Sequence, residues 1–132
     1  MSQMDERIIV DTSIWIEYFK NNKDVGKIVD DGLRKGIIYI LGPIISELLQ
    51  GVKTQKEYNK LSECIDAIPY FECEFKDWVK AGHISFSLKK KGLTVPLTDI
   101  VISAVSINRK AKIFTLDKHF ALIPETELFV QR

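Results

Sequence analysis

Among eighteen acidic residues, Asp11, Glu47, Asp99 and Asp117 stand out by position. Asp11 and Asp117 each end an uninterrupted apolar run, Asp99 opens an apolar helical stretch, and Glu47 falls in the first turns after Gly42-Pro43. Acids gathered at one edge of a sheet repel one another, and burial raises their pKa values further. A hard divalent cation relieves that repulsion, because Mg²⁺ and Mn²⁺ take oxygen ligands. No pair of His or Cys occurs at ligand spacing, which argues against zinc. His83 and His119 stand alone. His83 reads as a structural residue; His119, two positions after Asp117, reads either as an outer contact of the acids or as an ordinary histidine.

Each acid taken singly has a plainer explanation. An Asp between a strand and a helix is commonly a cap or turn residue. Asp99 could be no more than a favourable charge at a helix N-terminus, worth about 0.3–1 kcal/mol. Glu47 falls off the apolar stripe of its helix, as a solvated glutamate would. Only the set of four points to a site.

The elements that must position them follow from apolar patterning. Ile8-Ile9-Val10, Ile37–Leu41 and Lys112–Leu116 predict buried strands, and Leu128-Phe129-Val130 a short last one. Thr12 and Ser13 are plausible caps for a short helix over Ile14–Phe19. Asp24 opens a second helix, with Val25, Ile28, Val29 and Leu33 on one face and Gly36 as its stop. Pro43 suits the first turn of a third, carrying Ile44, Ile45, Leu48, Leu49 and Val52. A fourth helix is expected over 55–68, with Tyr58, Leu61, Ile65 and Ile68 on one side. A fifth covers about 76–91, with Trp78, Ala81, Ser85 and Leu88 as its stripe. The helix after Asp99 is apolar nearly all round and therefore buried. Strands alternating with helices predict a mostly parallel sheet covered on both faces, whose ligands bind beyond the carboxyl ends of the strands.

The 132 residues are 45% hydrophobic and 28% charged, which is globular composition and predicts one domain over 1–132. The longest uncharged run, Gly36–Ser46, is eleven residues, too short to span a bilayer. The first seven residues are acidic early and carry no signal-peptide core, and Cys64 and Cys73 form neither a zinc nor a disulfide spacing. Both cysteines read as packing thiols, and a cytoplasmic protein without membrane attachment is expected. Net charge is +1, neutral toward nucleic acid; without the four acids the balance is nineteen basic against fourteen acidic residues.

Four segments then resemble one family. Asp11-Thr12-Ser13-Ile14-Trp15-Ile16-Glu17-Tyr18-Phe19 resembles the first motif of PIN-domain ribonucleases, in particular VapC-type toxins of toxin–antitoxin pairs. Ile45-Ser46-Glu47-Leu48-Leu49-Gln50-Gly51-Val52 is similar to the second, Pro96–Ala104 to the third and Phe114–Phe120 to the fourth. They follow the family's order over residues 11–120. The resemblance implies a three-layer α/β/α fold and a metal-dependent endoribonuclease using Mg²⁺ or Mn²⁺. It matches Asp11, Glu47, Asp99 and Asp117 to the acidic quartet, with Asp11, Asp99 and Asp117 as direct ligands and Glu47 acting directly or through water. It matches Thr115 to the hydroxyl that orients the metal site, and Ser13 joins it as a supporting hydroxyl.

Metal-assisted hydrolysis of RNA would leave a 5′-phosphate and a 3′-hydroxyl. Lys89-Lys90-Lys91 and Lys118 are the first choices for phosphate contacts; Lys20, Lys23, Lys53, Arg109 and Lys110 are further cations that could equally be solvated surface. Single-stranded loops are the expected target. The resemblance also implies an antitoxin covering the site, with Trp15, Tyr18 and Phe19 either lining its groove or belonging to the core, and a toxin homodimer. Two rivals stay open: a phosphate-accepting receiver domain, which has no use for Glu47, and a non-catalytic PIN-like module that binds RNA or protein.

Overall fold

A computed structural model describes residues 6–130 of the chain. The extreme N-terminal residues examined above for a signal peptide, 1–5, lie outside that range, as do 131–132. Three short strands, β1 (Ile8–Val10), β2 (Ile38–Tyr39) and β3 (Lys112–Phe114), form a parallel sheet in the order β2-β1-β3. Ile8 pairs with both Ile38 and Lys112, and Val10 with Phe114, so β1 is central. Ile8, Ile9 and Val10 are all buried, where a one-sided strand would alternate; helices therefore cover both faces.

The helices are α1 (Thr12–Phe19), α2 (Lys23–Lys35), α3 (Gly42–Gln50), α4 (Gln55–Asp66), α5 (Phe75–Lys90) and α6 (Leu97–Arg109), followed by a 3₁₀ helix at Lys118–Leu122. Asn22 caps α2 by accepting from the Val25 N–H, and Gly36 ends it at φ 70°, a left-handed value glycine adopts without strain. Gly32 is required for another reason. A Cβ there would meet Ile38 Cδ1 at 2.6 Å, so only glycine lets α2 lie this close to β2. Buried residues surround α6 from Asp99 through Ser106, as its all-round apolarity predicted.

Several local expectations need correction. The second and third strands are shorter than their apolar runs, and Leu128 makes only an isolated parallel bridge to Ile113. Asp117 consequently does not follow its strand directly: Thr115 and Leu116 turn the chain first. On α4, Tyr58 is 41% exposed, whereas Leu61 and Ile65 are buried. Cys64 is exposed and is no packing thiol; Cys73 is half-buried. His83 is exposed, outside any structural packing.

On α5 Ala81 and Leu88 are buried as expected, but Trp78, 53% exposed, and the half-buried Ser85 give way to Asp77 and Ile84. Asp77 takes the inner position in place of Trp78 because its carboxylate is completely buried and partnered. It accepts from the Glu74 N–H at 2.8 Å, Asn108 Nδ2 at 2.8 Å and Arg109 Nη1 at 3.1 Å. Arg109 also donates to the Glu72 carbonyl and is itself almost buried, which removes it from the cations available to RNA. This cluster fastens α5 to the far end of α6.

Candidate active site

β1 is the point where the chain's crossovers diverge toward β2 on one side and β3 on the other, and the crevice of such a sheet lies beyond its carboxyl end. Asp11 is the first residue past β1. Its N–H still donates to the Phe114 carbonyl at 3.0 Å, so the last rung of the β1–β3 ladder fixes the Asp11 backbone. Asp11 is also the N-cap residue of α1, but its side chain makes no capping bond; it is held instead by two hydroxyls. Thr115 Oγ1 donates to Asp11 Oδ2 at 2.8 Å, and Ser13 Oγ donates to the same oxygen at 3.0 Å. Only 5% of Asp11 is exposed.

Thr115 does a second job. Its Oγ1 accepts the Asp117 N–H at 2.9 Å, and Ser13 Oγ accepts the Leu116 N–H at 3.0 Å. Two hydroxyls thus stitch the turn after β3 to the turn after β1, and Asp117 is delivered beside Asp11 although no strand carries it there. Asp117 then caps the 3₁₀ helix by accepting from the His119 N–H at 2.9 Å. Glu47 reaches the same region from α3, where Thr12 Oγ1 donates to its Oε1 at 2.7 Å.

Asp99 lies in the first turn of α6, 9% exposed. A helix N-terminus favours a carboxylate, yet the Asp99 carboxyl is pushed up from 3.8 to about 6. Burial is the largest cause, followed by the negative charges of Asp117 and Asp11; His119 opposes the rise and Glu47 adds to it. All three other predicted acids are therefore close enough to act on Asp99 electrostatically. His119 Nδ1 stands 3.0 Å from Asp117 Oδ1 and 3.3 Å from Asp99 Oδ2. One ligand atom from each of Asp99, Asp117 and His119 lies within 4.8 Å of the others.

The PIN domain family model matches residues 8–125. The chain belongs to the PIN-domain family. Among curated relatives of this PIN domain, Ribonuclease VapC of Rickettsia bellii is 32% identical across 92% of this chain and 93% of its own length. Ribonuclease VapC11 of Mycobacterium tuberculosis is 26% identical across 88% and 90%. Among solved structures, VapBC2 of Rickettsia felis bound to promoter DNA superposes with a TM-score of 0.81 at 20% identity, over 92% of this chain and 96% of that one. DNA-bound VapBC of Salmonella typhimurium gives 0.81 at 18% identity, over 94% and 97%. At such identities the superpositions establish the three-layer fold with its parallel sheet.

Within this PIN domain the sequence missed one residue, Thr12, whose hydroxyl holds Glu47. Its only signal was its place beside Asp11, where it reads as a helix cap. His119 was left open between two roles and proves to bridge two acids. The lysines Lys89, Lys90, Lys91 and Lys118 are all exposed, with Lys89 and Lys90 in the last turn of α5, where cations complement the helix C-terminus. Trp15 is 2% exposed and belongs to the core, whereas Phe19 is 45% exposed. Together with Tyr18, Leu48, Ile65 and Ile68 they line a cleft of about 470 Å³. No helix among the described residues is long and apolar enough to cross a membrane.

Proposed function

We propose that this PIN domain is a metal-dependent endoribonuclease, the toxin of a toxin–antitoxin pair, and that Asp11, Glu47, Asp99 and Asp117 are its catalytic acids. The observation that carries this reading is the state of Asp99. A carboxyl at a helix N-terminus is raised to about 6 by burial and by three other acids brought from separate elements. An arrangement that unfavourable in the free protein makes sense around a cation. The donor set fits a hard ion: four carboxylates supply oxygen only, which suits Mg²⁺ or Mn²⁺. Imidazole is a poor partner for Mg²⁺, so His119 is assigned to orienting Asp99 and Asp117.

Asp11, Asp99 and Asp117 would hold the ion, with Glu47 acting directly or through water. When bound, the ion supplies positive charge for the scissile phosphate and a water of lowered pKa. The protein's own part is orientation. Thr115 and Ser13 fix one oxygen of Asp11, the other having no hydrogen-bond partner among the described residues, and Thr12 does the same for Glu47. Lys118, next to Asp117, and Lys91, at the start of the loop leading to Asp99, are assigned to RNA phosphates. The VapC ribonuclease relatives support RNA as substrate, and the VapBC toxin–antitoxin complexes support an antitoxin partner. The apolar cleft at Tyr18 and Phe19 suits an antitoxin segment, and a homodimer is part of the same reading.

The test is RNA cleavage by the wild type and by Asp99→Asn, each with Mg²⁺, Mn²⁺ or EDTA. Cleavage by the wild type should require the ion and fall by orders of magnitude in the variant. Undiminished cleavage by folded Asp99→Asn would refute the assignment of that residue, and undiminished wild-type cleavage in EDTA would refute metal dependence.

A further inference from the structure

His119 brings an imidazole to a site whose other candidate ligands are all carboxylates. Two contacts fix its place. Its backbone N–H donates to Asp117 Oδ1 at 2.9 Å, and the next residue, Phe120, is completely buried in the core. From that fixed backbone the ring places Nδ1 3.0 Å from Asp117 Oδ1 and 3.3 Å from Asp99 Oδ2, two oxygens carried by different elements.

Those separations are informative. Nδ1 has at most one hydrogen, and a single N–H cannot be directed along both lines at once. The atoms are instead spaced as neighbours around a common centre: one ligand atom from each of Asp99, Asp117 and His119 lies within 4.8 Å of the others. An octahedral ion with bonds of about 2.1 Å holds adjacent ligand atoms about 3 Å apart. The two distances from Nδ1 match that edge as they stand. Exposure agrees with such a role. The Asp99 side chain is 12% exposed, Asp117 35% and His119 46%, so the imidazole is the outermost of the three and can join or leave an ion without disturbing the core.

Ligand chemistry then sets the choice of ion. Mg²⁺ takes oxygen and keeps several waters, whereas first-row transition ions also bind imidazole. We propose that His119 is a ligand of the ion through Nδ1 and makes this site select a first-row transition ion, such as Mn²⁺, over Mg²⁺. Beside Mg²⁺ the ring keeps only its orienting role. Bound through Nδ1, the imidazole carries its hydrogen on Nε2. A ring that only braced the two carboxylates would serve both ions alike, which separates the two roles. The inference rests on the proposed metal reading, and the two fail in different ways.

Mn²⁺ alone is the probe, added to the full chain without a histidine tag. The chain has two histidines, and the other, His83, lies exposed on α5. Pulsed electron paramagnetic resonance of the Mn²⁺ complex should show the modulation of a directly bound imidazole nitrogen, lost in His119→Asn and kept in His83→Gln. The signal of free Mn²⁺, titrated alone and in competition with Mg²⁺, gives both affinities. His119→Asn should bind Mn²⁺ about tenfold more weakly or worse, and Mg²⁺ less than about threefold more weakly. His119→Asp offers oxygen at the same position, so it should still bind Mn²⁺, lose the nitrogen modulation and shift the preference toward Mg²⁺. Melting in EDTA checks that each variant folds. Mn²⁺ bound by the wild type without the nitrogen signal overturns the proposal and leaves the carboxylate site standing. So does a loss of Mn²⁺ and Mg²⁺ affinity by the same factor in His119→Asn. A wild type that binds neither ion overturns both readings.

Discussion

Replacing Asp99 by Asn should stabilise the metal-free protein while removing its response to metal. Unfolded, Asp99 ionises near 3.8; folded, burial and the charges of Asp117 and Asp11 delay ionisation to about 6. The folded state therefore holds an extra proton between those values. The stability tied to that proton is complete below the unfolded pKa and is lost as pH rises through about 6. A rise of some two units corresponds to roughly 3 kcal/mol lost by pH 7.5. Asparagine is nearly the same shape and never ionises, so it avoids that loss. The opposing pull of His119 is already contained in that rise, so one favourable contact goes with the charge, the helix N-terminus, about 0.3–1 kcal/mol. The net gain is about 2–3 kcal/mol, or roughly 6–12 °C in melting temperature for a domain of this size.

Thermal melts at pH 5, 6, 7 and 8 in EDTA, each repeated with excess Mn²⁺, would measure it. In EDTA the variant should melt above the wild type at pH 7–8, and the gap should close toward pH 5. Mn²⁺ should raise the wild type by mass action and the variant far less. Asp99→Asn melting below the wild type in EDTA at pH 7.5, or gaining as much from Mn²⁺, would refute the view that Asp99 is held unfavourably for a cation.

Two further outcomes are expected. Asp77→Ala should cost about 3–5 kcal/mol in urea unfolding at pH 7, because it strands the nearly buried Arg109. Burial alone would raise the Asp77 pKa, but Asn108, the Glu74 N–H and Arg109 outweigh it and hold the carboxyl below its usual value. Its contribution is therefore present above about pH 4 and should fade as the pH falls through the lowered value, bringing Asp77→Asn toward the wild type only in acid. Thr115→Val keeps the shape of the side chain but removes the hydroxyl shared by Asp11 and the Asp117 N–H. It should weaken Mn²⁺ binding about 10–100-fold, read as a shifted metal midpoint in melting or cleavage titrations.

Most of the sheet and every α-helix could be seen in the sequence, because runs such as Ile8-Ile9-Val10 and the all-round apolar α6 have one physical solution each; the 3₁₀ helix at Lys118–Leu122 could not. What failed was fine orientation. On α5 a tryptophan was the natural choice for the core and an aspartate for the surface, and the molecule does the reverse. Asp77 can be buried only because Asn108 and Arg109, some thirty positions later, meet it, and no local pattern carries that information. The four acids were legible because three of them adjoin apolar segments that had to be buried. Thr12 was not: it looked like a cap for the helix that follows, whereas it is the first residue of α1, behind the cap residue Asp11, and holds a distant glutamate. The shortness of β3 escaped for a similar reason: Thr115 continues the β-like composition, but its hydroxyl is drawn off to Asp11.

Asp77 and Asp99 make the case for the site by contrast. Both are buried carboxyls on the packed pair α5 and α6, and both sit in the first turn of a helix. Asp77 meets two amide donors and a guanidinium, and its carboxyl is held down; Asp99 meets three acids and one imidazole, and its carboxyl is driven up. Burial opposes the charge in both, and the partners decide the direction of the outcome. A carboxylate that the fold satisfies from its own residues is a structural pin. One that the fold surrounds with its own kind lacks a matching positive partner, and here the acids around it come from separate elements at the carboxyl end of a parallel sheet. Replacing Asp77 should therefore damage the fold under all conditions at neutral pH, whereas replacing Asp99 should improve it until a divalent cation is added.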